Sequence, residues 1–251
     1  MSVRACAATW SGAEPVEAFR RLAGRRGVFW LDSSLPRAYD GRFSIMGCEP
    51  RFVVGTRGQE WWLERGGAIV ERGMQPLQKI EELIAACRTA PADGVELPFW
   101  GGAVGWFSYD LGRQFERVEG TAVDDLRVPD IRLAWHDAAV IWDHHASRAW
   151  LVGAGWERPA EAAMAELAGW LGAPQAGGAR PEVGPHHGAS TCVSDLSRED
   201  YMARVETARD SIARGEIYQV NLVQRFTCEH REDPATTYLR LRARNPAPFA
   251  V

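Results

Sequence analysis

Between residues 43 and 71 the chain carries four short apolar runs, 43–47, 52–57, 61–64 and 68–71, separated by Glu49-Pro50, Arg57-Gly58 and Gly66-Gly67. Glycine and proline at those breaks are turn residues for a physical reason: glycine accepts positive φ, and proline fixes φ and cannot donate to a ladder. Strands this short, joined by connections this short, must return antiparallel, because parallel neighbours need a crossover of a dozen or more residues. The runs at 103–109, 132–142 and 148–153 add further strands, the last two as a hairpin across 143–147. Helical periodicity is confined to 14–26, with Val16, Phe19, Leu22 and Ala23 inward, to 76–88 after Pro76, to 160–171, and to two later stretches. Strands in runs with helices interspersed irregularly predict an α+β fold and exclude a doubly wound parallel one.

The composition fits that reading without staples. With 46% hydrophobic and 25% charged residues, 251 residues can build a core that needs neither metal nor disulfide. A net charge of −4 gives no footprint for nucleic acid or an anionic membrane. The five cysteines, Cys6, Cys48, Cys87, Cys192 and Cys228, are odd in number and widely spaced, without a Cys-x-x-Cys pair. They predict reduced thiols and, with no leader-like or bilayer-length apolar run, a cytoplasmic protein. The eleven tryptophans read as core and sheet packing.

Residues 172–195 are rich in Gly, Pro and Ala and lack periodicity, which predicts a linker between an amino-terminal domain, 1–171, and the start of a second, 196–251. Ser197 then caps a helix, with Asp200 three residues on in a capping-box spacing and Tyr201, Val205, Ala208 and Ile212 as its apolar stripe. Past Gly215, the run 217–228 predicts a strand, and a helix follows from Pro234 to about Arg244. Side chains alternate along a strand, so Gln219 and Asn221 share one face, and Tyr218, Val220 and Leu222 share the other. Buried carboxamides need hydrogen-bond partners. Two readings stay open: a face that holds something polar, or an edge strand with a solvated face.

Other motifs have ordinary explanations. Gly101, Gly102 and Gly105 lack the Lys-Ser/Thr of a phosphate-binding loop and a following helix, so they read as glycines that let two backbones approach. His144 and His145, with His136 nearby, lack the spacing of metal ligands and read as solvated turn residues. Ser33 and Ser34 read as turn or cap residues closing a strand.

Four blocks in order carry a resemblance across most of the chain. They are LDSS (31–34) with GRFSIMGCEP (41–50), FWGGAVGWFSYDLGRQFE (99–116), SREDYMARVETARDSIARGEIYQVNLVQRF (197–226) and NPAPF (245–249). Together they resemble the chorismate-utilising enzyme family, the large subunits (component I) of anthranilate synthase and aminodeoxychorismate synthase. The variants YDLGR, YQVNL and NPAPF are more similar to the aminodeoxychorismate synthase branch.

The resemblance implies two packed, mainly antiparallel sheets with helices outside, built jointly by both domains and incomplete at the carboxy terminus. It implies amination of chorismate at C4, with ammonia from a glutamine amidotransferase partner, and the anthranilate branch is the nearest alternative. It implies a pocket for an amino acid, tryptophan in many members, at Ser33, Phe43, Pro248 and Phe249, with Asp40 where some tryptophan-binding members carry an aromatic residue. In related isochorismate and salicylate synthases a lysine that activates water stands at the position of Gln219, which here is implied to line the active site. The Mg²⁺-binding glutamates and the other catalytic residues of the family fall beyond Val251. This implies no metal ligand in these residues and no turnover by them alone, and leaves a non-catalytic amino-acid-binding or subunit-interaction module as the alternative of another class.

Overall fold

The computed structural model describes residues 3–36, 40–117, 123–172, 192–230 and 232–251. The turns read from sequence are where the backbone goes left-handed: Glu49, Gly58, Gly66 and Gly67 have φ of 50°, 55°, 60° and 88°. The chain divides into two units, Met1–Pro181 with Leu239–Val251, and Glu182–Tyr238. Of the linker expected at 172–195, residues 173–191 lie outside the described residues.

The first unit runs β1 (Val3–Arg4), β2 (Cys6–Trp10), α1 (Pro15–Leu22), β3 (Phe29–Leu31), β4 (Phe43–Gly47), β5 (Phe52–Arg57), β6 (Glu60–Arg65), β7 (Ala68–Met74), α2 (Pro76–Ala86), β8 (Thr89–Ala90), β9 (Gly102–Phe107), a 3₁₀ turn (Tyr109–Gln114), β10 (Ile131–His136), β11 (Ala138–Asp143), β12 (Arg148–Gly153) and α3 (Ala160–Gly172). Two five-stranded sheets result, in the orders β7-β6-β5-β10-β9 and β2-β12-β11-β4-β3, and every ladder within them is antiparallel. The short β1–β8 pair is parallel. This is the predicted α+β class, although β1, β2 and β8 carry no sequence signal of their own.

Tryptophans serve the first sheet as expected. Gly55 pairs with Trp62 and Gly73 with Trp61 across adjacent strands, and each indole covers the face where a glycine Cβ would stand. One core joins Phe52, Val54, Trp61, Leu63, Ile131, Leu133 and Trp135 to Ile80 of α2 and Leu111 of the 3₁₀ turn. A second gathers Ile45, Ala139, Ile141 and Val152 of the other sheet beneath Trp100 and the segment before it. Glycine allows the close approach expected of 101–105: a Cβ on Gly105 would strike the Arg132 carbonyl of β10.

The expected single strand 132–142 is in fact two. β10 ends at His136, β11 begins at Ala138, and the two lie in different sheets. Asp137 turns the chain between them, 4% exposed, its carboxylate held by Arg158 at 2.8 and 3.3 Å and approached by Arg51 at 3.7 Å. The sequence does not reveal such a switch, because apolar residues run on both sides of Asp137.

His136 is likewise not a turn residue. It is 1% exposed, its ring packs edge-on to Phe29 at 4.5 Å, and its Nδ1 has no hydrogen-bond partner. Burial pushes its pKa down to about 4.

The second unit holds β13 (Cys192–Ser194), α4 (Arg198–Ala213), β14 (Phe226–Cys228) and the start of α5 (Pro234–Arg244), whose residues from Leu239 onward group with the first unit. Ser197 caps α4 as expected: its Oγ accepts from the Asp200 amide at 3.0 Å and donates to the Asp200 carboxylate at 2.8 Å. Two expectations are corrected. The strand at 217–228 is regular only over Phe226–Cys228, because 217–224 find no ladder partner among the described residues. The thiols are not all reduced: Cys192 and Cys228 face each other across β13 and β14, Cα atoms 4.4 Å apart, as a disulfide. That pairing depends on register, and a separation of 36 residues carries no sign of it.

Burying neutral His136 makes stability depend on pH. An unfolded imidazole titrates near 6.5, so the unfolded chain takes up the proton first and stability falls as pH drops from about 6.5 to about 4. A shift of this size corresponds to about 3 kcal/mol in total. Urea unfolding at pH 7.5 and pH 4.5 should show most of that loss in the wild type and a smaller one in His136→Gln. An unchanged difference in the variant would remove His136 as the source.

Candidate functional site

The sequence directs attention to two places, and the structure treats them differently. The first lies where β3 runs on past Leu31. Asp32 forms a bridge with Ala250, the two amides exchanging hydrogen bonds of 2.8 and 2.9 Å. Farther along, the Leu35 amide donates to the Ala247 carbonyl at 3.0 Å, and the Ala247 amide donates to Ser34 Oγ at 2.9 Å. Residues 247–250 thus form an added antiparallel edge beside 32–35, with β4 on the opposite side.

Continuing those registers sets Phe43, Ser33 and Phe249 in one row across three neighbouring segments. Ser33 is 3% exposed, and its hydroxyl donates to the Phe43 carbonyl at 2.7 Å. Pro248 sits against Gly41, whose φ of 69° and lack of a Cβ allow the contact. Phe249 is 74% exposed, so one aromatic flank of the row is open to solvent. The four residues implied as an amino-acid pocket are therefore neighbours, and Asp40 is exposed nearby in sequence.

A polar network that the sequence did not announce lies beside this row. Asp32 is 2% exposed, and Arg242 Nε donates to its carboxylate at 2.6 Å, with the guanidinium 5.0 Å above the Trp30 ring. Ser44 Oγ accepts from the Ser33 amide at 3.0 Å and lies 3.3 Å from Asp32 Oδ1 and 2.8 Å from His144 Nε2. Strand alternation puts Trp30, Asp32 and Ser44 on one face and Leu31, Ser33 and Phe43 on the other. His144 is thus a partner of buried Ser44 and not a solvated turn residue, and burial pushes its pKa down. Next to it, the Arg42 guanidinium pairs with Asp143 at 2.6 Å and holds that carboxyl below its usual range. Arg242 could not have been found by motif: it lies 210 residues from Asp32, on a helix whose arginines look like an ordinary solvated face.

The second place is the segment carrying Gln219. It folds back against α4, and Arg204, Thr207, Ala208, Ser211, Ile217, Val220 and Leu222 line an open groove of about 310 Å³. The predicted alternation holds only over 219–222: Tyr218, expected to pack with Val220 and Leu222, is 92% exposed, and Ile217 lines the groove instead. Val220 and Leu222 face the helix, while Gln219 and Asn221 are exposed, their carboxamides 3.5 Å apart. Among the described residues no group of three or more His, Cys, Asp or Glu side chains gathers as a metal site. No helix among them is long and apolar enough to cross a membrane.

Removing the Arg242 guanidinium leaves the Asp32 carboxylate buried without its counter-ion, a change that costs about 3–5 kcal/mol. Arg242→Ala should therefore unfold at markedly lower urea than wild type, with Arg242→Lys in between. A loss below about 1 kcal/mol, the scale of an exposed pair, would show that the ion pair does not hold this edge.

The profile of a family described as chorismate binding enzyme matches residues 64–251. Aminodeoxychorismate synthase component 1 of Klebsiella aerogenes is 32% identical over 233 residues, covering 93% of this chain and 49% of that protein. Anthranilate synthase component 1 of Mycobacterium tuberculosis (strain ATCC 25618 / H37Rv) is 33% identical over 256 residues, covering 94% and 48%. In three dimensions the chain is similar to anthranilate synthase component I from Streptococcus pneumoniae TIGR4, with a TM-score of 0.63, 26% identity, and coverage of 93% of this chain and 51% of that one. The chain spans about half the length of the curated relatives it matches.

Proposed function

Because this chain belongs to the chorismate binding enzyme family, we propose that it acts in the amination of chorismate to 4-amino-4-deoxychorismate, as component I of an aminodeoxychorismate synthase. The observation that carries this reading is Gln219. At the position where hydroxylating relatives of this fold place a water-activating lysine, this chain has a carboxamide, next to a second one on Asn221. A general base must exchange a proton near working pH, and a carboxamide has none to exchange. A nucleophile that meets Gln219 must already be reactive when neutral, and ammonia is. The carboxamide can orient it by accepting an N–H and donating one of its own. Similarity to the Klebsiella aerogenes protein and the block variants YDLGR, YQVNL and NPAPF favour this branch.

The reading carries a glutamine amidotransferase partner as the source of ammonia. The described residues do not fit a Mg²⁺ site, and these 251 residues assayed alone should give no product. Product identity is the test, in the protein expressed from its native gene with chorismate, Mg²⁺ and an ammonium salt. 4-Amino-4-deoxychorismate is expected. Anthranilate would move the chain to the other branch, and ligand binding without turnover would make it a binding module. Gln219→Ala should lower the rate by about ten-fold or more, the scale of one lost orienting hydrogen bond. If Gln219→Ala and Gln219→Lys both aminate at the wild-type rate, the residue is structural.

The row formed by Phe43, Ser33 and Phe249, with Pro248 at its end, is part of the same reading as a pocket for an aromatic amino acid. Tryptophan is the ligand to try, its indole against the two phenyl rings. Calorimetry should show binding weakened about five-fold or more in Ser33→Ala, the scale of one hydrogen bond. Equal affinities would take Ser33 out of the site.

A further inference from the structure

The five thiols of this chain fall into two chemical groups. Cys6, Cys48 and Cys87 are free. Each is held away from the reactive thiolate form: Cys6 by its hydrogen bond to Glu161, Cys87 by burial, and Cys48 by burial that pushes its thiol up to about 12. Cys192 and Cys228 are instead exposed and joined to each other. Their disulfide crosses a ladder of three residue pairs between β13 and β14. The Asp195 amide donates to the Arg225 carbonyl at 3.0 Å, which makes 195 and 225 a hydrogen-bonded pair. Counting along the ladder, 192 and 228 then form a close pair without hydrogen bonds, in keeping with their Cα separation of 4.4 Å.

The position of this bond gives it leverage. The 36-residue separation it closes contains all of α4 and the segment with Gln219 and Asn221. Inside that loop little else fixes the chain. Among the described residues none in α4 is buried, 217–224 have no ladder partner, and the groove between them is open. At the mouth of the loop the restraints are the short ladder, the Gln224 to Ser194 hydrogen bond of 2.6 Å and the Arg225 amide bond to the Asp195 carboxylate at 3.0 Å. Cutting a cross-link that closes a loop returns conformational entropy to whatever the loop contains. Exposed disulfides are also the ones that exchange readily with external thiols.

We propose that Cys192–Cys228 is a reversible thiol–disulfide modification site whose reductant is a dithiol, and that its redox state sets the order of residues 214–225. In the forward reaction one thiolate of the dithiol attacks a sulfur of the disulfide and releases the other cysteine as a thiolate. The second thiol of the reductant then closes on the mixed disulfide and releases the first. Two electrons and two protons pass to the chain, leaving two cysteine thiols, and the reductant leaves as its cyclic disulfide. The inference does not depend on the amination reading, and its test reads thiols and peptide bonds, not turnover.

Trypsin is the probe, because Arg214 and Arg225 bracket the segment. The native chain is purified without reductant, then divided into untreated, dithiothreitol-treated, and treated samples re-oxidised with oxidised glutathione. Alkylation without denaturant, followed by mass spectrometry, should label Cys192 and Cys228 only in the reduced sample. Cleavage at Arg214 and Arg225 should accelerate about ten-fold on reduction, since the protease samples the open population, and return on re-oxidation. A Cys192→Ser/Cys228→Ser variant should be cut at the fast rate with or without dithiothreitol. If the variant does not fold, the three wild-type samples decide alone. Labelling of both cysteines before reduction, or equal cleavage rates in the three samples, would overturn the proposal.

Discussion

The first unit depends on what happens to one carboxylate. Asp137 lies between β10 and β11, the point at which the chain leaves one five-stranded sheet and enters the other. A buried anion there is tolerable only when paired, and Arg158, with Arg51 beyond it, supplies the charge. The Asp137 carbonyl accepts from the Ala154 amide at 2.8 Å, so the end of β12 is fixed by the same residue. The Trp135 carbonyl accepts from the Arg51 amide at 2.8 Å, which brings the start of β5 to the switch point. Both sheets therefore take their registers from one short stretch, and the two cores lie on either side of it.

The edge made by residues 247–250 follows the same logic at the far side of the second sheet. Three backbone hydrogen bonds attach it to 32–35, and the Asp32–Arg242 pair binds the helix that precedes it. Buried ion pairs add little net stability compared with apolar packing of the same volume, because desolvating two charges offsets most of their attraction. What such a pair does supply is selection. With Asp32 buried, a register that moves Arg242 away loses this ion pair, which favours the observed seating of the tail. The row of Phe43, Ser33 and Phe249 exists only in that register, and the aromatic site in the proposed function depends on a contact that touches no ligand.

What could be read from the sequence, and what could not, divides along range of interaction. The turns at Glu49-Pro50 and Gly66-Gly67, the N-cap at Ser197 and the helix starts at Pro76 and Pro234 are decided by a few adjacent residues, and the structure has them. The positions of Ser33, Phe43, Pro248 and Phe249 came through resemblance, and the registers bring those residues together. Asp137 and Arg242 were not legible, because a charged residue in a strand or on a helix looks solvated until its partner is known, and those partners stand 21 and 210 residues away. The Cys192–Cys228 bond escaped for a related reason, since it exists only once two three-residue strands have chosen a register. His136 and His144 were misassigned because adjacency in sequence suggested a shared exposed turn, whereas one closes β10 inside the protein and the other reaches back to Ser44.

The segment 217–225 shows how a correct pattern can coexist with an absent element. Its alternation is real over 219–222, where Val220 and Leu222 face α4 and the two carboxamides face away, and fails before it, where Ile217 and not Tyr218 meets the groove. A strand, though, is defined by its neighbours, since an extended backbone leaves its amides and carbonyls unpaired until another strand accepts them. Among the described residues only Arg225, at the end next to β14, finds such a partner, in Asp195, and 217–224 are left without a ladder. Its periodicity still separates an apolar face, which already has a helix to cover it, from a polar face of Gln219 and Asn221. A carboxamide pair turned to solvent costs nothing and has both donors and acceptors free to meet a polar ligand. That makes the polar face, and not the apolar one, the chemically available side of this segment.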